Sequence, residues 1–197
     1  MEFSILDTYD HYELPYLSID LYHSFISDNS CKKLQESIMT YGKFPHPHIT
    51  KKGILSKRRN KIIYGDIPFY KINYKGIEIN TKVYPWSDLP VLQTIRDKIT
   101  ELTGQSYEVC VIQLYNSGEV GIDPHRDKEM KSGTIIASLS LGTTRIMRFD
   151  RGHQHLEIEL SAGTLCLLQP PTNDYWLHSI PKDSSTGTRL SLVFRHV

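Results

Sequence analysis

His125 and Asp127 carry the strongest chemical signal in the chain. They stand two apart in the run Q-L-Y-N-S-G-E-V-G-I-D-P-H-R-D-K-E, residues 113–129. On an extended strand, residues two apart share a face, so one imidazole and one carboxylate can approach the same metal ion. A third ligand must come from elsewhere, and His178 is the natural candidate. Two histidines and a carboxylate on one face of an ion suit ferrous iron, with the remaining positions open to a co-substrate and O2. A lone His-x-Asp is a weak signal. It gains weight from the C-terminal R-L-S-L-V-F-R, Arg189–Arg195. An arginine presents a rigid, permanently charged fork that fits a carboxylate, as the far end of a dicarboxylic keto acid would require.

The elements that must position these groups follow from composition and periodicity. The chain has 197 residues, 39% of them apolar and 23% charged, with a net charge of +1. That is enough for one domain, residues 1–197, with a real core. It gives no global field to draw in a polyanion. Cys31, Cys110 and Cys166 have no motif spacing and read as reduced core thiols, which points to an intracellular compartment, nucleus or cytoplasm. Neither a secretory leader nor a membrane span is expected, and a monomer is.

Residues 1–20 read as an irregular aromatic arm. Ser27 or Asp28 caps a helix to about Tyr41, with Cys31, Leu34 and Ile38 as its apolar stripe. A second helix starts near Pro90 and ends at Gly104, burying Leu92, Ile95, Ile99 and Leu102. Short strands are expected over 69–73 and 76–83, with a hairpin turn at Lys75-Gly76. More follow over 107–115, 134–141, 145–149, 155–160, 164–169, 175–180 and 188–196. So many short strands with turn signals between them imply a mainly β sandwich or jelly-roll with flanking helices.

A basic, aromatic segment lies upstream. From Lys43 to Lys75 there are nine Lys or Arg against one acid, Asp66, and Phe44, Tyr64, Phe69, Tyr70 and Tyr74 are interleaved with them. In a nearly neutral protein this asymmetry is informative. Cations and aromatics together can hold phosphates and stack bases. An ordinary solvated loop over core aromatics is the competing reading.

Four stretches resemble the AlkB-type iron and 2-oxoglutarate dependent dioxygenases, oxidative demethylases of alkylated nucleic acids, and in particular the subgroup of animal repair demethylases. They are H-R-D-K-E at 125–129, S-L-S-L-G at 138–142, P-T-N-D-Y-W-L-H-S-I-P at 171–181 and R-L-S-L-V-F-R at 189–195. Weaker similarity reaches Y-G-D at 64–66 and T-G-Q at 103–105. The resemblance implies a double-stranded β-helix (jelly-roll, cupin-like) core over about 105–197 and a nucleotide-recognition segment over 43–83. It makes His125, Asp127 and His178 the Fe(II) ligands. Arg189 would salt-bridge the distal carboxylate of 2-oxoglutarate, Arg195 would help fix its other end, and Tyr115 would hydrogen-bond it. Gln113 stands where the family usually has asparagine. Glu129 falls near the expected exocyclic amino group of a target base, Tyr70 and Tyr74 at lid positions, and Lys51, Arg59 and Lys61 along the nucleic-acid contact.

The reaction implied is oxidation of an N-methyl group on 1-methyladenine or 3-methylcytosine by O2 and 2-oxoglutarate. It would release formaldehyde, succinate and CO2. The apolar wedge of duplex-acting members is missing at Ile49-Thr50-Lys51, so single-stranded or weakly paired DNA or RNA is the expected partner. Two other readings remain from the residues: an iron oxygenase acting on a protein or small molecule, and a non-catalytic nucleic-acid-binding sandwich.

Overall fold

A computed structural model describes residues 1–3, 9–44 and 60–197 apart from 75 and 76, with residues 72–74, 77 and 78 described by backbone alone. Lys51 and Arg59 lie outside the described residues. In chain order the elements are β1 (Asp10–Leu14), β2 (Leu17–Tyr22), α1 (Asp28–Tyr41), β3 (Asn60–Gly65), β4 (Phe69–Tyr74) and β5 (Ile77–Lys82). Then come β6 (Tyr84–Pro85), α2 (Pro90–Thr103), β7 (Val109–Tyr115), β8 (Ile122–His125), β9 (Ile136–Gly142) and β10 (Arg145–Arg151). The chain closes with β11 (Gln154–Leu160), β12 (Leu165–Gln169), α3 (Thr172–Tyr175), β13 (Leu177–Ile180) and β14 (Arg189–Arg195).

The strands form an eight-stranded sheet in the order β1-β2-β12-β9-β14-β7-β3-β6, a four-stranded sheet β11-β10-β13-β8, and the separate β4–β5 pair. Alternation along the central strands explains the layering. In β14, Leu190, Leu192 and Phe194 join one core with Cys110, Ile112 and Leu114 of β7 and with the apolar stripes of α1 and α2. The residues between them point the other way. Val193 of β14 and Val109 and Val111 of β7 join a second core with Met147 and Phe149 of β10 and Ile158 of β11. The large sheet is therefore covered by helices on one face and by the small sheet on the other, which is why β7 and β14 are buried throughout. This is a β-dominant domain with flanking helices and a jelly-roll-like core.

Helix ends follow local chemistry. Ser27 caps α1 by accepting from the Ser30 N–H. Pro90 sits in the first turn of α2, and Gly104 ends it in the left-handed region at φ 71°.

One sequence expectation is corrected. Where the irregular arm is expected, residues 10–22 are ordered as an antiparallel hairpin of β1 and β2, and β2 pairs with β12 at the flank of the large sheet. Pro15 and Tyr16 make the hairpin turn, with Tyr16 at φ 64°. The stretch 60–65, to which sequence patterning assigns no element, is strand β3. It pairs antiparallel with β7 from Asn60↔Leu114 to Gly65↔Val109.

Candidate metal and co-substrate site

The three candidate ligands converge. His178 and His125 are direct partners across β13 and β8, and their ring centroids lie 4.4 Å apart. Asp127 follows β8 by two residues and places Oδ1 3.6 Å from His125 Nε2. One ligand atom from each of the three falls within 4.8 Å of the others. His125 Nδ1 lies 2.9 Å from the Asp123 carbonyl. A carbonyl only accepts, so Nδ1 carries the proton and Nε2 keeps its lone pair for a metal.

Electrostatics suit the same role. Burial pushes His178 down to about 4, against the pull of the Asp127 charge, so its imidazole is neutral and able to ligate at pH 7. Burial alone would raise the Asp127 carboxyl. The facing Arg195 guanidinium reverses this and holds it well below the usual carboxylate range. Arg195 NH2 donates to Asp127 Oδ2 at 2.7 Å, and NH1 donates to the Tyr70 hydroxyl at 2.9 Å. That hydroxyl in turn donates to the Glu129 carbonyl at 2.8 Å.

Arg189 lies six residues earlier on the same face of β14 and is differently placed. Its NH2 donates to Ser140 Oγ at 2.9 Å, and its guanidinium lies 5.1 Å from the Tyr115 ring centroid. Its Nε and NH1 are buried without a partner, and burial depresses its pKa. A buried cation with two unsatisfied donors and no facing carboxylate fits an anionic ligand. Between Arg189 and the triad runs a narrow pocket whose lining includes Gln113, Tyr115, Ser138, Met147 and Ser191. Tyr115 donates to Gln113 Oε1 at 3.3 Å, both side chains being buried. The residues present therefore fit a metal ion at one end and a small dicarboxylate reaching the other.

Arg195, expected at the near end of the co-substrate, directs its donors at Asp127 and Tyr70. Glu129 is half-buried beside the site. Lys61, opposite Gln113 across β3 and β7, is exposed and so lies on the site side of the sheet. Tyr74 ends β4.

Two other contributors carry no signature in the chain. Arg145 is almost completely buried. It donates to the carbonyls of Ser117, Gly118, Val120 and Pro181 and pairs with Asp183 at 2.7 Å, locking the loop before β8 onto the loop after β13. Gly118 backs onto Asp183 so closely that a Cβ would collide with it. Asn173, in α3, bonds the main chain of Asp127 through both atoms of its amide. No motif spacing marks either residue.

Comparison with known proteins agrees with this geometry. Residues 18–195 match the model of the 2OG-Fe(II) oxygenase superfamily. The chain belongs to that superfamily. With the His125, Asp127 and His178 triad in place, the site is that of a catalytic Fe(II) and 2-oxoglutarate dependent oxygenase. Among its relatives is DNA oxidative demethylase ALKBH2 of Mus musculus, 32% identical over 152 residues, 71% of this chain and 62% of that protein. Alpha-ketoglutarate-dependent dioxygenase alkB homolog 3 of Homo sapiens is 32% identical over 148 residues, 68% of this chain and 50% of that one. The oxygenase thus spans about half to three-fifths of the length of these relatives. A solved structure titled "The structure of OsALKBH1" shares the fold, with a TM-score of 0.60 at 15% identity, covering 95% of this chain and 100% of its own. No helix among the described residues is long and apolar enough to cross a membrane.

Proposed function

We propose that this oxygenase is an oxidative demethylase of N-alkylated bases, 1-methyladenine and 3-methylcytosine, in DNA or RNA. In this reading it acts within the nucleus or cytoplasm as a monomer, on single-stranded or weakly paired nucleic acid. It has a double-stranded β-helix core over about 105–197 and uses 43–83 for nucleotide recognition. The observation that carries the reading is Tyr70. It projects from the β4–β5 pair, within the basic and aromatic segment, and hydrogen-bonds both Arg195 and the Glu129 main chain beside the triad. The segment expected to contact a polymer thus reaches the metal end of the site. The resemblance to a protein named as a DNA oxidative demethylase supports the same substrate class.

His125 Nε2, the Asp127 carboxylate and His178 would hold Fe(II). Arg189 would receive the distal carboxylate of 2-oxoglutarate, with Tyr115 and Gln113 bonding to it along the cavity. Together, Fe(II) and 2-oxoglutarate supply oxidation of the methyl carbon by O2, after which formaldehyde leaves the base. The chain's own part is positioning and charge. Arg195 keeps Asp127 ionised, Glu129 and Tyr70 beside the triad would receive the target, and the resemblance adds Tyr74 to them. A cationic methylated base suits such a carboxylate and aromatic lining, and Lys61, with Lys51 and Arg59, would track phosphates.

Formaldehyde release should be measured on single- and double-stranded oligonucleotides bearing 1-methyladenine, 3-methylcytosine or 6-methyladenine, omitting iron or 2-oxoglutarate in controls. Release from methylated single strands alone is expected. Turnover of 2-oxoglutarate that no methylated strand stimulates would shift the substrate to a protein or small molecule.

A further inference from the structure

Asp127 lies beyond the end of β8, so the small sheet does not pair its peptide groups. Its N–H donates to Asn173 Oδ1 at 2.9 Å, and Asn173 Nδ2 donates to its carbonyl at 2.8 Å. An asparagine amide offers one acceptor and two donors, so here one side chain does the work of a neighbouring strand. The grip is itself anchored. The Thr172 hydroxyl accepts from the Ser18 N–H at 2.8 Å and donates to the Ser18 carbonyl at 3.0 Å. Trp176 Nε1 donates to the Pro15 carbonyl at 3.1 Å. The N-terminal hairpin therefore holds α3, and α3 holds the backbone of the carboxylate ligand. Arg195 fixes only the carboxylate end of the same residue.

We propose that Asn173 is a positioning residue of the metal centre. Its amide holds the main chain of Asp127 so that the carboxylate meets the ion in the geometry set by His125 and His178. Without the amide, two half-buried peptide groups lose their partners, and the loop after β8 regains torsional freedom at its ligand. The proposal rests on the triad as metal site and is independent of which polymer the enzyme acts on.

The test uses the full chain freed of metal. Mn(II) affinity is measured by calorimetry, and the visible spectrum of the Co(II) protein with 2-oxoglutarate is recorded at saturation. Asn173→Ala is expected to weaken Mn(II) binding about 10- to 100-fold and to shift the Co(II) bands, while Tm without metal falls by only a few degrees. Tyr175→Ala removes the stack of α3 on Tyr16, at 4.3 Å between centroids, and leaves the amide grip. It is expected to bind Mn(II) as the wild type does. Two results would overturn the proposal: Asn173→Ala binding Mn(II) within twofold of wild type with an unchanged Co(II) spectrum, or Tyr175→Ala losing as much affinity as Asn173→Ala. If the wild type bound neither ion, the metal reading of the triad would fall and the role of Asn173 with it.

Discussion

Arg189 and Arg195 sit on the same face of one strand, are both buried, and differ in almost every other respect. Arg195 is paired within the protein, with Asp127 on one terminal nitrogen and Tyr70 on the other, and only its Nε lacks a partner. Arg189 holds a single serine hydroxyl and keeps two buried donors without partners. The surroundings move their pKa values in opposite directions. Burial lowers both, but the facing Asp127 carboxylate more than compensates at Arg195, and Arg189 has no such anion. A guanidinium with its counter-ion built in is a strut. One that lacks a counter-ion is costly to bury and open to an anionic ligand.

That contrast can be broken by exchanging each arginine for a neutral chain of similar length. The largest effect expected is on Arg195→Met, which leaves the Asp127 carboxylate buried and unpaired and should destabilise the metal-free protein by about 3–5 kcal/mol, read from urea melts. Its pH dependence carries a sign. In the wild type the Asp127 pKa is depressed, so its contribution is present above the unfolded value and lost as pH falls through the folded one. Without Arg195, burial raises the Asp127 pKa, so stability is instead lost as pH rises through the unfolded value. The gap between wild type and variant should therefore shrink between pH 7 and pH 4, and a constant gap would remove Asp127 from the account.

Arg189→Met should do the reverse. Metal-free stability is expected to stay level or to rise, because an unpaired buried charge is gone. The affinity for 2-oxoglutarate should fall by about 2–5 kcal/mol, roughly 30- to several-thousand-fold, as measured by calorimetry with Mn(II) present. Tyr70→Phe removes one hydroxyl between two partners. It should cost about 1–2 kcal/mol in stability and leave 2-oxoglutarate affinity within about threefold, separating the two arginines at a single atom. Smallest of all, Gln113→Asn shortens an amide that accepts from Tyr115. It should change the KM for 2-oxoglutarate by no more than about threefold, since both side chains carry the same polar groups.

The triad was legible in the sequence because its chemistry is uncommon and its neighbours are distinctive. Both long helices were legible from their 3.6-residue stripes. Three features were not. β1 and β2 interrupt their apolar alternation with Pro15, which reads as disorder until β12 is seen to pair beside them. β3 was hidden because the preceding charges dominated the composition of K-I-I-Y at 61–64, although two isoleucines and a tyrosine together favour a strand. Asn173 and Arg145 act through backbone atoms far away in sequence, and no spacing encodes a bond to a distant peptide group. The division of labour between the two arginines was equally invisible, because it depends on which one Asp127 faces.

β14 places Arg189, Ser191, Val193 and Arg195 toward the cavity and Leu190, Leu192 and Phe194 toward the helices. A slip of one residue against β7 would turn both guanidinium groups into oil and empty the chamber of its charges. A one-residue error thus costs the core and the charged chamber together, so against that error folding and competence are a single event.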